Sequence, residues 1–523
     1  MKIMALFHFE EWKMYYPDFE TFSKFARNGG NEMSGNLVPV SREILADTET
    51  PVSALIKFSS HPYMFLLESV EGGEKWGRYT FIGTDPRAVF RVPAAGSEVV
   101  ITENGGTRKV PHNGDPLGVL RQELQRFRLA PVDGLPRFCG GAVGFMGHDM
   151  ARYFEPRSLR GEGAPSDDIG ADTACFLITD TLLIFDNVKH TIKVISCAAV
   201  DEGRDPREVY DQAAAKIDAA IATLRCPPKR ENGAVRFNPD FRLVPNMEEQ
   251  AFKSMVEKGK QYIAAGDIIQ VVLSQRFEVD RDGLDPVNIY RALRFVNPSP
   301  YLFFLKMEDT YLVGSSPEVM VRLEDGVAEL RPIAGTRRRG RTEQEDRKLA
   351  DELLKDPKEK AEHVMLVDLG RNDLGRIART GSVQVNQLMA VERYSHVMHL
   401  VSNIQAQLAS GRDAFDVLRA SFPAGTLSGA PKIRAMQIID ELEPARRGPY
   451  GGGVGYFSFS GNMDFCITIR TFVIRNGKIY VQAGAGIVAD SDPNAEYKET
   501  LSKAQGLVEA LRMAAAGFEV KTA

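Results

Sequence analysis

The chain carries a long series of strand-type runs, and helical patterns interrupt them without alternating one for one. A doubly wound parallel sheet needs a helix after each strand. Without that alternation the reading is α+β with antiparallel pairing. The strand candidates in the first part are Leu37–Val40, Tyr63–Ser69, Gly77–Gly83, Ala88–Val92, Glu98–Thr102, Cys175–Asp186 and Thr191–Ile195. Helical patterns there begin near Pro17, at S-R-E-I-L-A-D (Ser41–Asp47), at T-P-V-S-A-L-I-K-F and over Arg207–Leu224. Cys226-Pro227-Pro228-Lys229-Arg230-Glu231-Asn232-Gly233 has turn chemistry and no periodicity, so it marks a linker. The expected layout is an extension over residues 1–13, a sheet-rich region over 14–225, a linker over 226–246, a second region over 247–515 and a tail over 516–523.

Beyond the linker, Met247–Ala265 reads as a helix and Ile268–Phe277 as a strand. A meander follows through Tyr301–Lys306, Tyr311–Ser315 and Met320–Glu324, and then helices over Glu343–Lys355 and Lys358–Asp368. Ala414–Ala420 and Lys432–Glu441 read as helices around a small-residue loop, Phe422–Pro431. Gly140–Phe145 and Gly452–Tyr456 echo each other, either as related halves or as a chance likeness of glycine-rich strands.

Charge and cysteine usage narrow the functional classes. A net charge of -5 over 523 residues argues against nucleic acid as a partner, and the single basic run, Arg337–Arg341, reads as a loop or a local anion contact. Five scattered cysteines without C-x-x-C spacing fit reduced thiols in the cytoplasm. The first twelve residues lack the apolar run of a secretory signal, and no stretch has the roughly 18 uninterrupted apolar residues of a membrane helix.

The chemistry concentrates in two carboxylate pairs. Gln482–Thr500 reads as a strand end that breaks at Gly484-Ala485-Gly486 and restarts as a helix capped by Ser491 or Asp492, with Pro493 in its first turn. Glu496 and Glu499 share one face of that helix, as do Glu359 and Glu362 in K-E-K-A-E-H. Brought together, the pairs would cage a hard divalent cation, with the glycine turn holding an anion beside it. Taken singly, acids in a first turn also serve the helix dipole. Further candidates are Glu318 after a proline turn, His396 and His399 three apart, and Arg470, able to clamp a carboxylate in bidentate fashion.

Taken together, the stretches N-P-S-P-Y-L-F-F-L, G-S-S-P-E, R-P-I-A-G-T-R, A-E-H-V-M-L-V-D-L-G-R-N-D-L-G-R, V-M-H-L, F-P-A-G-T-L-S-G-A-P-K, Y-G-G-G-V-G-Y and Q-A-G-A-G-I-V-A-D-S resemble the chorismate-utilising enzymes. With L-L-E-S and G-R-Y-T-F-I-G near the N-terminus, the chain is similar to component I of anthranilate synthases over about residues 14–515. The resemblance implies two antiparallel sheets in a sandwich-like core, helices outside and an active-site cleft. It implies Mg2+ held directly by Glu362 and Glu499, and through water by Glu359 and Glu496. Chorismate would meet Gly335, Thr336, Tyr450, Arg470, Gly484, Ala485 and Gly486, with Thr426 lining the pocket. Tryptophan, as feedback inhibitor, would meet Glu68, Ser69, Pro300, Tyr301, Leu302 and Cys466; many relatives carry methionine in place of Leu302.

Two positions separate the branches of such a family. Relatives that add water at ring C2 carry a base lysine where this chain has Gln270, and aminodeoxychorismate synthases typically carry a nucleophilic lysine where it has Ala334. Glutamine is no general base and alanine offers no covalent route, so ammonia should attack C2 and give anthranilate. Glu318, its proton retained by burial, would act as acid on the C4 hydroxyl, and His399 would assist pyruvate elimination. No cysteine lies in a G-x-C-x-G elbow, so a separate glutamine amidotransferase subunit is expected to supply ammonia, in a hetero-oligomer. The competing readings are an aminodeoxychorismate synthase working without its lysine, and a non-enzymatic tryptophan-binding regulator. The intact glutamate set argues against the regulator.

Overall fold

The structure, a computed structural model, describes residues 14–27, 35–69, 77–159, 165–201, 203–228, 243–394 and 397–518. Its framework is two 12-stranded sheets whose strand pairings are antiparallel. One runs in spatial order Leu37–Leu45, Thr191–Ala199, Thr181–Asp186, Tyr79–Thr84, Tyr63–Glu68, Tyr301–Met307, Thr310–Ser316, Thr471–Arg475, Lys478–Ile487, Gln270–Asp280 and Val244–Pro245, with Gly429–Ala430 also on Gln270–Asp280. The other runs Ile333–Arg338, Val397–Gln407, Val327–Leu330, Val319–Glu324, Met463–Ile467, Gly453–Ser458, Gly141–Met146, Ala174–Thr179, Ala88–Val92, Glu98–Glu103 and Gly106–Pro111, with Gln384–Arg393 also on Val397–Gln407. Both sheets draw strands from either side of the expected linker.

Between the sheets lies one apolar layer, with Phe65, Phe81, Leu182 and Phe303 from the first sheet against Val143, Phe145, Leu177 and Val454 from the second. The outer face of the first sheet buries the helices Pro51–Phe58, Pro206–Arg225, Pro286–Val296 and Pro493–Ala516. The outer face of the second covers Pro116–Gln125, Pro357–Gly375 and Ala414–Ser421. Many of these helices begin at an Asp or Thr cap followed by proline, as at Asp205-Pro206, Asp285-Pro286, Asp356-Pro357 and Asp492-Pro493. That sequence supplies an acceptor for the first free N–H groups and a preset φ. The expected α+β sandwich is the observed architecture.

Several local expectations are overturned. Ser41–Leu45 is not helical; it completes the strand Leu37–Leu45, registered from Leu37↔Ala199 to Leu45↔Thr191, because a full-length partner outweighs weak helix propensity. Cys175–Asp186 is two strands, Ala174–Thr179 in one sheet and Thr181–Asp186 in the other, joined at buried Asp180, which Lys216 neutralises at 3.0 Å. Both strands line the inner layer, so their apolar run shows no break in sequence. The Phe422–Pro431 loop contains a helical turn, Gly425–Ser428, and the helix expected to end at Asp368 continues to Gly375.

The largest correction concerns Gly484-Ala485-Gly486. They form no turn: the strand Lys478–Ile487 runs through them, paired Ser274↔Gly484, Leu273↔Ala485 and Val272↔Gly486. The glycines serve close approach instead, as argued below. Finally, the two echoing glycine-rich segments lie side by side, with Gly455↔Gly144 in register. The extension over residues 1–13, most of the linker and His396 fall outside the described residues.

Candidate active site

The Lys478–Ile487 strand has neighbours on both sides only as far as Val481, where pairing with Thr471–Arg475 ends at Phe472↔Val481. From Gln482 onward it pairs with Gln270–Asp280 alone. On the opened edge the Gly484 carbonyl accepts from Lys503 Nζ at 2.9 Å. A Cβ on Gly484 would stand 2.8 Å from the Tyr450 hydroxyl, and one on Gly486 would stand 2.7 Å from the Gln270 amide. The two glycines thus let Tyr450 and Gln270 approach the backbone of this strand closely.

Arg470 lies at the end of this edge. Its backbone is left-handed, φ 50°, just before the strand Thr471–Arg475 begins. Its guanidinium donates a long 3.4 Å hydrogen bond to Asn297 Oδ1, and among the described residues it has no carboxylate within ion-pair distance. Burial lowers its proton affinity, and the nearest opposing influence is Glu318. A buried guanidinium of this kind is a receptor for a planar anion.

Glu318 is 8% exposed. Burial raises its carboxyl to about 8, against the opposing pull of the Thr426 hydroxyl, the Ile333 N–H, Arg470 and Lys503. Thr426 donates to Oε1 at 3.1 Å. At neutral pH this is a protonated, hydrogen-bonded acid, as the sequence reading required.

His399, on the strand Val397–Gln407, has Nδ1 2.9 Å from the Gly335 carbonyl and 3.1 Å from Thr336 Oγ. A carbonyl only accepts, so Nδ1 carries the proton and Nε2 keeps its lone pair. Burial lowers the imidazole's proton affinity, which maintains that neutral form. Gly335 itself has φ 68° at a bulge between Ala334 and Thr336, and a Cβ there would meet Glu359 Oε2 at 2.9 Å. Ala334 pairs with Leu400 and brings no functional group.

The four glutamates sit on two helix N-terminal segments, Glu359 and Glu362 on Pro357–Gly375 and Glu496 and Glu499 on Pro493–Ala516. They converge: burial raises Glu362 first, and the negative charges of Glu359, Glu499 and Glu496 raise it further. Burial likewise raises Glu496, with Glu499 adding to it. Cations partly offset the cluster, with Arg337 2.9 Å from Glu359, Lys503 2.7 Å from Glu499 and Lys358 3.9 Å from Glu362. Among the described residues no three His, Cys, Asp or Glu side chains close on one point as a complete metal cage. Oxygen-only donors that repel one another fit a hard dication that keeps water and takes few carboxylates directly.

A second cavity collects Glu68, Ser69, Pro300, Tyr301, Leu302 and Cys466, together with Arg137, Arg322 and Asp464. Glu68 accepts from Tyr290 at 2.7 Å and from Arg294 at 2.7 and 2.9 Å. Arg294 sits in the last turn of the Pro286–Val296 helix, whose C-cap Asn297 touches Arg470. One helix end therefore touches both Glu68 and Arg470.

Lys503, Arg337 and Asn297 are the participants that sequence reasoning missed. Lys503 was within reach of it, since it follows Glu499 by four and Glu496 by seven on the same helical face. Arg337 belongs to a run whose charges prove to be local anion contacts, Arg337 to Asp356 and Glu359, Arg339 to Asp346.

A family model for chorismate-binding enzymes matches residues 71–509. The chain is 46% identical over 515 residues to anthranilate synthase component 1 of Acetivibrio thermocellus, covering 96% of this chain and 99% of that one. It is 48% identical to the protein of the same name in Synechocystis, with 95% and 99% covered. Among solved structures, anthranilate synthase component I from Streptococcus pneumoniae superposes with a TM-score of 0.73 at 36% identity, covering 89% of this chain and 99% of that one. A menaquinone-specific isochorismate synthase from Escherichia coli shares the fold at 20% identity and a TM-score of 0.67, with 94% and 99% covered. The chain belongs to the chorismate-binding enzymes and, within them, to the anthranilate synthase component 1 family.

Proposed function

We propose that this chain converts chorismate and ammonia to anthranilate and pyruvate in tryptophan biosynthesis. The observation that carries the reading is the electrostatic proximity of Arg470, buried without a carboxylate partner among the described residues, and Glu318, a buried acid that keeps its proton to about pH 8. Arg470 takes a substrate carboxylate in bidentate fashion, with the Tyr450 hydroxyl beside Gly484 and the open strand edge completing its cradle. Glu318, steered by Thr426, delivers its proton to the departing C4 hydroxyl, which leaves as water. Ammonia attacks C2 with migration of the double bond. His399, held through Nδ1 on Gly335, presents a basic Nε2 for the proton lost when pyruvate is eliminated and the ring becomes aromatic.

Glu362 and Glu499 would hold Mg2+ directly, and Glu359 and Glu496 through water. When bound, the ion supplies positive charge that fixes a carboxylate of the substrate. Gln270 and Ala334 favour ammonia over water as nucleophile and direct attack over a covalent route. Ammonia comes from a glutamine amidotransferase subunit. Of the five thiols, four are buried, and burial raises Cys175 and Cys466 well above the usual range, which suits neither of those two to glutamine hydrolysis.

Tryptophan occupies the Glu68–Ser69–Leu302 cavity, and the Arg294-to-Asn297 helix end supports communication with Arg470. Among the described residues no helix is long and apolar enough to cross a membrane. The test is direct: purified chain with chorismate, Mg2+ and an ammonium salt, products resolved by fluorescence and chromatography. Anthranilate is expected; isochorismate, salicylate or a 4-amino product overturns the reading.

A further inference from the structure

The Pro357–Gly375 helix buries a stripe on its inner face: His363, Val367, Gly370 and Leu374, with Asp373 beside it. The spacing of four, three and four is that of an apolar seam, yet its first member is an imidazole. His363 is 0% exposed. Its Nε2 lies 2.6 Å from Ser402 Oγ, and its Nδ1 is buried with no hydrogen-bond partner. A leucine would fill the same seam without stranding a polar nitrogen, so packing alone does not account for histidine here.

The partner hydroxyl is itself held. Ser402 Oγ accepts from the Met389 N–H at 2.9 Å, at a point where the Gln384–Arg393 strand bulges and Met389 takes φ 54°. The Ser402 N–H donates to the Pro332 carbonyl, just before the strand that carries Gly335 and Thr336. Ser402 also follows His399 by three residues on Val397–Gln407. Ser402 thus joins the helix and the edge strand through its hydroxyl, and the segment leading to Gly335 through its backbone N–H.

In the helix before His363, no residue from Pro357 to Glu362 is buried. The turn that presents Glu359 and Glu362 is tied down by Arg337 on its outside and by His363 on its inside. We propose that His363, acting through Ser402, is the positioning residue that sets the depth of the Glu359–Glu362 pair against His399 and Gly335. The inference rests on the reading that the four glutamates hold a divalent cation. Loss of a group hydrogen-bonded directly to a metal ligand typically weakens metal binding about 10–100-fold, and His363, acting one step removed, sets an effect at the lower end of that range.

The test uses the full chain with Mn2+ as probe, free ion counted by electron paramagnetic resonance, and thermal unfolding followed in parallel. His363→Leu and Ser402→Ala are expected to weaken Mn2+ binding by at least ~10-fold. His363→Gln, whose amide still reaches Ser402, should stay within about threefold of the parent. The melting temperature of His363→Leu should match or exceed the parent's. Equal Mn2+ affinity in parent and His363→Leu overturns the proposal, as does an equal loss in the Leu and Gln variants, which would mark the effect as packing. Should His363→Leu fail to fold, Ser402→Ala decides by the same criterion. Parent protein that binds no Mn2+, or Glu362→Gln that binds it undiminished, would instead sink the metal reading and the proposal with it.

Discussion

Replacing Glu318 by glutamine separates two consequences of burying a carboxylic acid. The folded chain holds the Glu318 proton to about 8, whereas the ordinary value of 4.5 describes the unfolded chain. Below pH 4.5 both states are protonated and burial of the charge costs nothing. Between 4.5 and 8 the unfolded chain releases a proton that the folded chain retains, so the native state loses stability as pH rises. Above 8 the folded carboxylate ionises too and the loss levels off. At about 1.4 kcal/mol per decade of proton affinity, the full loss is on the order of 5 kcal/mol. Glutamine does not ionise and escapes it. Glu318→Gln should therefore gain on the parent in urea-unfolding midpoint progressively from pH 5 to 8, with the gap constant beyond. Its turnover should fall about 10²–10⁴-fold, the usual worth of a positioned acid. The parent's turnover should decline above pH 8 as the acid form disappears. Anthranilate fluorescence across pH 6–9 and unfolding curves at the same pH values read both effects. A stability gap flat between pH 5 and 8 would refute the buried-acid assignment, and a variant retaining a tenth of parental turnover would refute the proton-donor role.

Other perturbations address the remaining groups. Arg470→Lys keeps the charge but loses the bidentate fork, so the KM for chorismate should rise about 10–100-fold while the melting temperature holds; an unchanged KM in steady-state assays removes Arg470 from the substrate. Arg294→Ala frees Glu68 and should weaken tryptophan inhibition at least severalfold in dose–response curves without altering the uninhibited rate. Ser69→Phe should weaken inhibition likewise by filling the cavity, and undiminished inhibition there would dismiss this pocket as the inhibitor site. Ammonium salts should sustain turnover by the isolated chain and glutamine should not; full glutamine-dependent activity would show that the chain generates its own ammonia.

The site was more legible in sequence than the path of the chain through it. Glu359, Glu362, Glu496 and Glu499 could be paired in advance because helical spacing alone puts each pair on one face, and the structure brings the two pairs within reach of one another. Burial of Glu318 was expected from the acid role that the family resemblance implies, since an acid must keep its proton near neutral pH; the proline turn alone reads equally as a cap. Gly484-Ala485-Gly486 misled because glycine in a strand pattern has two meanings, a break or a close approach, and only the cross-strand partners decide between them. Here the partners are Ser274, Leu273 and Val272, more than two hundred residues away. The crossover at Asp180 was hidden for the same reason: both flanking strands are buried in the inner layer, and periodicity carries no mark of which sheet a buried strand joins.

Counter-charges were the other blind spot. Nothing local pairs Arg337 with Glu359 across 22 residues, or sets Arg294 against Glu68 across 226. The first of these contacts places a positive charge on the glutamate cluster. With Arg337 on Glu359, Lys503 on Glu499 and Lys358 near Glu362, the cluster is partly neutralised by the protein itself. A dication arriving there would compete with these cations rather than enter an empty ring of negative charge. On the proposed reading such competition would hold metal affinity down and make cation binding depend on displacing those side chains.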